Sequence, residues 1–253
     1  MSALNNKWVQ QILAFQQEDG SWGHFHTLSQ PTKQQPITTE QSLRRLQILG
    51  LTKDDEPIAR ALAYMEHNLL QPHPTVFHEK KHDSKTYGDL MLAAWIRLFD
   101  PDNNVALNVA KKWAKVITCA FQGGEYSHTQ YVAAYESEFT KLNPKAGCLA
   151  DFVVLYQLAL LPGLLSRETE SSMLDYVLVH QRGIVYIYNN RLDTLPEQFA
   201  SREANGYLAA MELLSDYSLA PEKLGFVVDW LKSQRDDNGQ WDMGSAVKDG
   251  IHF

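Results

Sequence analysis

The sequence predicts an all-helical protein whose helices pair as hairpins and lie in two concentric layers. Apolar residues recur at helical spacing through most of the 253-residue chain. Several of these segments are apolar on more than one side, as helices between two layers are. Short and long connections alternate, which is typical of hairpins whose long loops gather at one mouth. Residues 183–188 (GIVYIY) are the one strand-like run, predicted to be a short extended segment beside a cavity.

The first predicted helix is short and has an apolar stripe between residues 8 and 15. The second is predicted for residues 38–49 and ends at Gly50, because glycine favours the left-handed exit of a helix. The third begins after Asp54 or Asp55, either of which could cap it. Later helices are predicted over residues 90–99, 105–121, 131–139, 149–161, 167–180, 199–217 and 221–233.

The connections between these helices include no low-complexity linker. Some are tight, such as residues 50–53 and 162–166, and others are long and polar, such as residues 22–37 and 70–85. Because long and short connections alternate as they do in a ring of hairpins, residues 1–253 are predicted to form a single domain.

The composition excludes several classes of protein. A hydrophobic share of 44% supplies enough apolar side chain for a sizeable core. A net charge of −7 argues against a nucleic-acid partner and against a polybasic membrane anchor. Cys119 and Cys148 have neither disulfide nor metal spacing. The N-terminus lacks the features of a signal peptide, and the longest apolar run, residues 152–165, is too short to span a membrane, so a cytoplasmic protein is predicted.

Two segments near the ends of the chain are similar to one another. In each, an amphipathic helix leads through acidic turn residues to a glycine, one spacer residue and a tryptophan. The first segment contains Gln16, Gly20 and Trp22, and the second contains Gly239 and Trp241. The glycine allows a left-handed helix exit, after which the tryptophan can fold back as an apolar plug. A repeated local structure is therefore predicted at both places.

The pattern Gln-x-x-x-Gly-x-Trp resembles the QW repeat of the squalene/hopene cyclase and prenyltransferase superfamily. The first segment matches it fully, whereas the second has Arg235 in the glutamine position and Gln234 displaced by one. Residues 121–126 resemble a decayed third copy. The resemblance implies an α/α toroid, for which an incomplete (α/α)6 ring is one form, and a central aromatic cavity that binds a hydrophobic, isoprenoid-type molecule. In that family the repeat is a structural brace, so the resemblance bears on fold more than on function.

The catalytic motifs of that superfamily are missing from this sequence. No Asp-x-Asp-Asp run occurs, and the nearest acidic pairs, such as Asp54-Asp55, lie in predicted turns. Cys148 and Asp151 lack the neighbourhood of a zinc site. Residues 78–82 (HEKKH) match the His-Glu-x-x-His pattern but lack the apolar helix face that a metalloprotease requires. Neither a metal nor a cofactor is therefore predicted.

The candidate site residues are of two kinds. His82 and Asp83 stand at the start of the helix that leads to residues 90–99, an end that would open at a mouth of the cavity. The others are polar or aromatic groups on otherwise apolar, aromatic helices. A buried carboxyl beside aromatic rings is expected to have a raised pKa and to act as an acid, and aromatic faces suit a cationic intermediate or a hydrophobic ligand. Helix capping and ordinary packing are the competing interpretation for each residue. The catalytic candidates are His82, Asp83 and Asp151, and the substrate-binding candidates are Tyr126, His128, Tyr156, Tyr186 and Arg202.

Three functional hypotheses stay open at this point. The first is a terpene cyclase-like or prenyltransferase-like enzyme that acts on an isoprenoid-type substrate in an aromatic cavity. The second is a non-catalytic binding or scaffold protein of toroid fold, which the missing catalytic motifs favour. The third is a carbohydrate-active toroid enzyme, a glycosidase or lyase, which would need paired carboxylates across an open groove.

Overall fold

The computed structural model describes residues 3–26, 32–72, 84–142 and 147–242. These residues form eleven α-helices and two short 3-10 helices, Ala3–Asn5 and Gly147–Ala150, and within the same ranges no β-strand is present. The α-helices are α1 (Lys7–Leu13), α2 (Thr39–Ile48), α3 (Glu56–Leu69), α4 (Ser84–Phe99), α5 (Asn104–Ala120), α6 (His128–Glu138), α7 (Leu155–Leu160), α8 (Arg167–Val179), α9 (Arg202–Leu214), α10 (Ala220–Lys223) and α11 (Gly225–Ser233). The prediction of an all-helical protein is confirmed.

Two predicted helices are interrupted in the structure. The helix expected over residues 149–161 begins as the 3-10 helix Gly147–Ala150, runs extended through residues 151–154, and resumes as α7. The helix expected over residues 221–233 divides into α10 and α11 at Leu224. Every helix within the described ranges is too short or too polar to cross a membrane.

The chain divides into two compact units, residues 1–110 and residues 111–253. In the first unit, α3 packs along α4. A capping box begins α2, since the Thr38 hydroxyl accepts from the Gln41 backbone and the Gln41 side chain accepts from the Thr38 backbone. The Trp95 indole donates a 2.7 Å hydrogen bond to the buried Glu40 carboxylate, which ties α4 to α2.

The first predicted repeat forms a compact brace at the end of α1, residues 12–22, called brace 1. Gly20 has a φ of +93°, and the Trp22 indole folds back to donate a 2.9 Å hydrogen bond to the Ile12 carbonyl oxygen, ten residues earlier. The Gln16 amide donates to the carbonyl oxygens of Gly20 (3.0 Å) and Pro57 (2.8 Å). Brace 1 therefore closes its own loop and also bonds to the start of α3.

The second predicted repeat, residues 231–241 at the end of α11, forms the same local structure and is called brace 2. Gly239 has a φ of +76°, and the Trp241 indole donates a 2.7 Å hydrogen bond to the Leu231 carbonyl oxygen, again ten residues earlier. The Arg235 guanidinium lies 4.3 Å from the centre of the Trp241 ring. Arginine thus stacks on the tryptophan from the position where the first copy has glutamine.

The backbone hydrogen bonds of the two loops also agree. In brace 1, the Gln17 N–H donates to the Ser21 carbonyl oxygen (2.8 Å), and in brace 2 the Asp236 N–H donates to the Gln240 carbonyl oxygen (2.9 Å). Residues 121–126 differ from both braces. Gly124 shares the left-handed φ, at +83°, but the hydroxyl of Tyr126, which occupies the tryptophan position, pairs with a histidine instead.

Candidate binding site

The candidate site lies in the second unit, where the chain leaves the 3-10 helix Gly147–Ala150 and runs extended to α7. The Asp151 Oδ1 atom accepts a 3.1 Å hydrogen bond from the Val153 N–H, which turns the carboxylate back over its own segment. The neighbouring segment 183–188 is pinned alongside, because the Val185 N–H donates to the Val153 carbonyl oxygen (3.1 Å) and the Leu155 N–H donates to the Val185 carbonyl oxygen (3.2 Å). The strand-like run therefore adds isolated bridges and no strand.

His180 completes this arrangement from the end of α8, where it is the C-terminal cap residue. Its Nε2 atom lies 3.0 Å from Asp151 Oδ2, and its Nδ1 atom lies 3.2 Å from the Gly183 carbonyl oxygen. The Gly183 carbonyl oxygen can only accept, so Nδ1 carries a proton, and Nε2 carries a second one when the Asp151 carboxylate is ionised. The geometry therefore favours a positively charged His180 paired with a negatively charged Asp151.

The pKa directions agree with an ion pair. Burial alone would raise the pKa of Asp151, but hydrogen bonds from His180 and from the backbone N–H groups of Val153 and Phe152 outweigh it and lower the pKa. The hydrogen bond to Asp151 raises the pKa of His180, against the opposing effect of burial. The expectation of a raised pKa for this carboxyl is wrong, because the sequence does not reveal that His180 comes to face it.

Aromatic rings surround this pair. The rings of Tyr126 and Tyr176 have centroids 4.5 Å apart, and the Phe152 ring lies 5.5 Å from Tyr126 and 5.7 Å from Tyr176. Phe121 closes the group at 5.7 Å from Phe152. We refer to these rings together with Asp151 and His180 as the aromatic–acid site.

The site has a packed base and an open edge. Phe121 and Phe152 are buried, whereas Tyr126 and Tyr176 are half-buried. The Asp151 side chain is 32% exposed, so part of the carboxylate faces solvent. Because the rings already touch one another, a ligand would lie across the open edges of the two tyrosines beside the carboxylate.

Burial keeps the phenols of the site protonated. Burial, helped by the nearby Asp151 charge, raises the pKa of Tyr126 well above its usual value and raises the pKa of Tyr176. At neutral pH the site thus offers an ionised carboxylate and two neutral phenol rings, next to an imidazole whose pKa is raised by its hydrogen bond to Asp151. It can bind apolar surface and stabilise charge, but it holds no protonated carboxyl that could donate a proton.

Two other predicted site residues form a separate pair in the same unit. Tyr156 is buried on α7, and its ring lies 5.8 Å from that of Tyr186. Tyr186 has a φ of +77°, which is strained for a residue with a side chain. The turn that imposes this value is closed by hydrogen bonds in both directions between Ile184 and Tyr188.

The remaining predicted site residues are either exposed or outside the described residues. His128 is exposed, and its Nδ1 atom lies 3.1 Å from the Tyr126 hydroxyl, so it borders the aromatic–acid site. Arg202 is exposed at the first residue of α9. Two further candidates, His82 and Asp83, lie outside the described residues, as does the whole HEKKH run, residues 78–82. Throughout the parts of the chain that are described, no three His, Cys, Asp or Glu side chains gather as a possible metal site.

Sequence reasoning missed His180 and Tyr176, although both belong to the site. A weak signal lies at the end of a predicted helix, where His180 is followed, after two intervening residues, by the strand-like run that begins at Gly183. Such an order marks a turn that returns the chain, yet it does not show that the turn meets Asp151, 29 residues earlier.

Comparisons of this chain with protein-family models, with curated proteins and with solved structures find no match.

Proposed function

We propose that this chain is an α/α-toroid protein that binds a hydrophobic, isoprenoid-type molecule at the aromatic–acid site. The proposal rests on one observation: the half-buried rings of Tyr126 and Tyr176 contact each other in the same site as the partly exposed Asp151 carboxylate. Stacked aromatic edges provide apolar contact area at little entropic cost, and the carboxylate fixes the position of any positive charge on the ligand.

The toroid part of the proposal is supported by the two braces. They agree in the left-handed glycine, in the loop hydrogen bond and in the ten-residue reach of the indole hydrogen bond. Repeated local structures of this kind are a feature of folds built from stacked helical hairpins. Four or more helical segments in each unit are available to build such hairpins.

Binding, rather than acid-initiated cyclisation, is the chemistry that the site supports. A cyclisation that starts with protonation needs a carboxylic acid, and the hydrogen bonds from His180 lower the pKa of Asp151. The carboxylate and the aromatic faces would instead stabilise a cationic group on a bound molecule. Among the described residues, the side-chain partner of Asp151 is His180, whereas a glycosidase needs a pair of carboxylates, so this pair gives no support to the hypothesis of a carbohydrate-active enzyme.

The proposal is tested by measuring the binding of farnesol and geranylgeraniol, and of their diphosphates, to the purified chain by calorimetry. We expect Tyr176→Leu and Tyr126→Leu each to weaken binding about threefold to tenfold, since one aromatic contact contributes roughly 0.5–1.5 kcal/mol. Tyr64→Leu is the matched control, because Tyr64 is a half-buried tyrosine of the first unit.

Two results would overturn the proposal. One is the absence of measurable binding of any of the four molecules. The other is an equal loss of affinity in the Tyr64 control and in the two site variants. Mass spectrometry of the incubated diphosphates separates binding from catalysis: unchanged diphosphates support a binding protein, whereas diphosphate release or a cyclised product would show that catalysis follows binding.

A further inference from the structure

Brace 1 and brace 2 have the same local structure but different surroundings. Trp22 is fully buried, whereas Trp241 is 42% exposed. The same difference in exposure is found on the helices that precede the two braces, three residues before the residue whose carbonyl oxygen accepts from the indole, Ile12 or Leu231. There Val9 is fully buried and Val228 is 48% exposed. Brace 2 thus leaves uncovered the apolar surface that brace 1 buries.

Helix α3 is what covers the loop of brace 1. The Pro57 carbonyl oxygen in its first turn accepts the hydrogen bond from the Gln16 amide. In its second turn, the Arg60 guanidinium donates to the Gln17 carbonyl oxygen at 2.5 Å. The Arg60 carbonyl group lies so close to Gly20 that a Cβ atom there would overlap it. The helix therefore rests its backbone directly on the glycine.

Brace 2 presents the same loop without such a helix. Among the described atoms, none lies within 4 Å of the position that a Cβ would take at Gly239. The Asp236 carbonyl oxygen occupies the place that Gln17 has in brace 1, since each accepts from the N–H of the loop glycine. The side chains of Asp236 and Asp237 are exposed around it, and these two carboxylates outnumber the one guanidinium of the loop, Arg235, so the open loop suits a cationic side chain.

We propose that brace 2 is the docking site for a helix of another protein that begins as α3 begins. Such a helix has an arginine in its second turn, which would donate to the Asp236 carbonyl oxygen and approach the two exposed carboxylates. Small residues beside that arginine, as Ala59 and Ala61 are beside Arg60, let its backbone reach Gly239. It would lie across the loop of brace 2, next to the exposed side chains of Val228 and Trp241.

Gly239 does not by itself indicate a docking site, because its left-handed φ is already a sufficient reason for glycine there. The docking site is inferred from the exposed side chains of Val228 and Trp241. Exposed apolar residues occur singly on most proteins, but here two are exposed at the positions that the first copy buries completely. Docking at brace 2 does not depend on ligand binding at the aromatic–acid site.

The experiment uses the full chain and a synthetic peptide with the sequence of residues 54–70, which contains α3 and no tryptophan. Acrylamide quenching is measured for the wild type and for Trp241→Phe, and the difference reports Trp241. We expect Trp241 to be accessible in the free chain and to become protected as the peptide is added, with saturation at one peptide per chain. An Arg60→Glu peptide is expected to bind at least tenfold more weakly.

Matched glycine variants show whether the peptide binds where proposed. Gly239→Ala adds a methyl group at the docking position, and we expect it to weaken peptide binding at least tenfold. Gly163→Ala is the control, because Gly163 is also left-handed, with a φ of +77° and no described atom within 4 Å of its Cβ position. It is expected to bind the peptide as the wild type does.

Three results would overturn the proposal. If Trp241 is already protected in the dilute free chain, the chain covers its own brace. If protection increases with the concentration of the chain alone, a second copy is the occupant. If the peptide binds equally well to the Gly239 and Gly163 variants, it binds elsewhere, for example by exchange with α3 at brace 1.

Discussion

Replacing the loop glycine of each brace by alanine measures how much the close contact between α3 and Gly20 contributes to the free energy of unfolding. Any L-residue with a left-handed φ costs about 1–2 kcal/mol, and both Gly20 and Gly239 have such a φ. At Gly20 the new Cβ would also overlap the Arg60 carbonyl, so backbone must move, at about 1–3 kcal/mol. We therefore expect Gly20→Ala to lower the free energy of unfolding by about 2–5 kcal/mol and Gly239→Ala by about 1–2 kcal/mol.

Each variant has a control within its own unit. Gly50 in the first unit and Gly163 in the second are left-handed, with no described atom within 4 Å of their Cβ positions. Urea unfolding followed by circular dichroism gives the four free energies, and hydrogen exchange assigns each loss to its unit. We expect Gly20→Ala to exceed Gly50→Ala by about 1–3 kcal/mol, and Gly239→Ala to match Gly163→Ala within about 0.5 kcal/mol.

The reasoning is refuted if Gly20→Ala costs no more than Gly50→Ala, since α3 would then not rest on the glycine. It also fails if Gly239→Ala costs much more than its control, because brace 2 would then be covered in the free chain. Loss of the α3 contact in Gly20→Ala should further expose the Gln17 carbonyl oxygen, which accepts from Arg60. Faster exchange of amides at the start of α3 checks that consequence.

Three further predictions concern the second unit. Because the pKa of His180 is raised and that of Asp151 is lowered, their pair should stabilise the fold fully between about pH 4 and pH 6.5 and lose this effect as the pH rises through the His180 pKa or falls through the Asp151 pKa. In urea unfolding, His180→Gln should remove the loss of stability on the alkaline side, and an unchanged alkaline loss would contradict this. Gln157 is fully buried and its amide has no partner among the described residues, so Gln157→Met should stabilise the fold by about 1–3 kcal/mol in thermal unfolding, and a loss of stability would contradict this. Tyr217→Phe should cost about 1–2 kcal/mol in the same assay, since the buried hydroxyl donates a 2.7 Å hydrogen bond to the Leu158 carbonyl oxygen; no change would show that bond to be unimportant.

Local chemistry explains why much of the fold could be predicted from the sequence. The helices depend on apolar spacing within about ten to fifteen residues, and each brace depends on a glycine and a tryptophan that are separated by one residue. The loops of both braces form as predicted, although Arg235 replaces glutamine in the second copy and stacks on the indole there. The predicted apolar plug is buried only in brace 1, since Trp241 is 42% exposed. The interruption between the 3-10 helix Gly147–Ala150 and α7 was not predicted, because it depends on pairing with residues 183–188, which are distant in sequence.

The candidate site shows where local chemistry ends. Asp151, Tyr126 and His128 stood out because they are polar or aromatic groups next to apolar helices. The state of Asp151 could not be deduced, since the direction of a pKa shift depends on which partner faces the carboxyl. Here that partner, His180, is supplied by the cap of another helix, and it reverses the expected direction.

The two braces also show the difference between what the local sequence determines and what depends on other parts of the chain. Both have the same loop and the same indole hydrogen bond, so the sequence determines their local structure alike. Their surroundings differ: the start of α3 lies against Gly20 and Thr39 of α2 bonds to Trp22, while no described atom lies within 4 Å of the Cβ position at Gly239. A local pattern can therefore specify a docking surface without specifying its occupant. The contacts of α3 with the loop of brace 1 are the basis on which we propose the kind of helix that brace 2 binds.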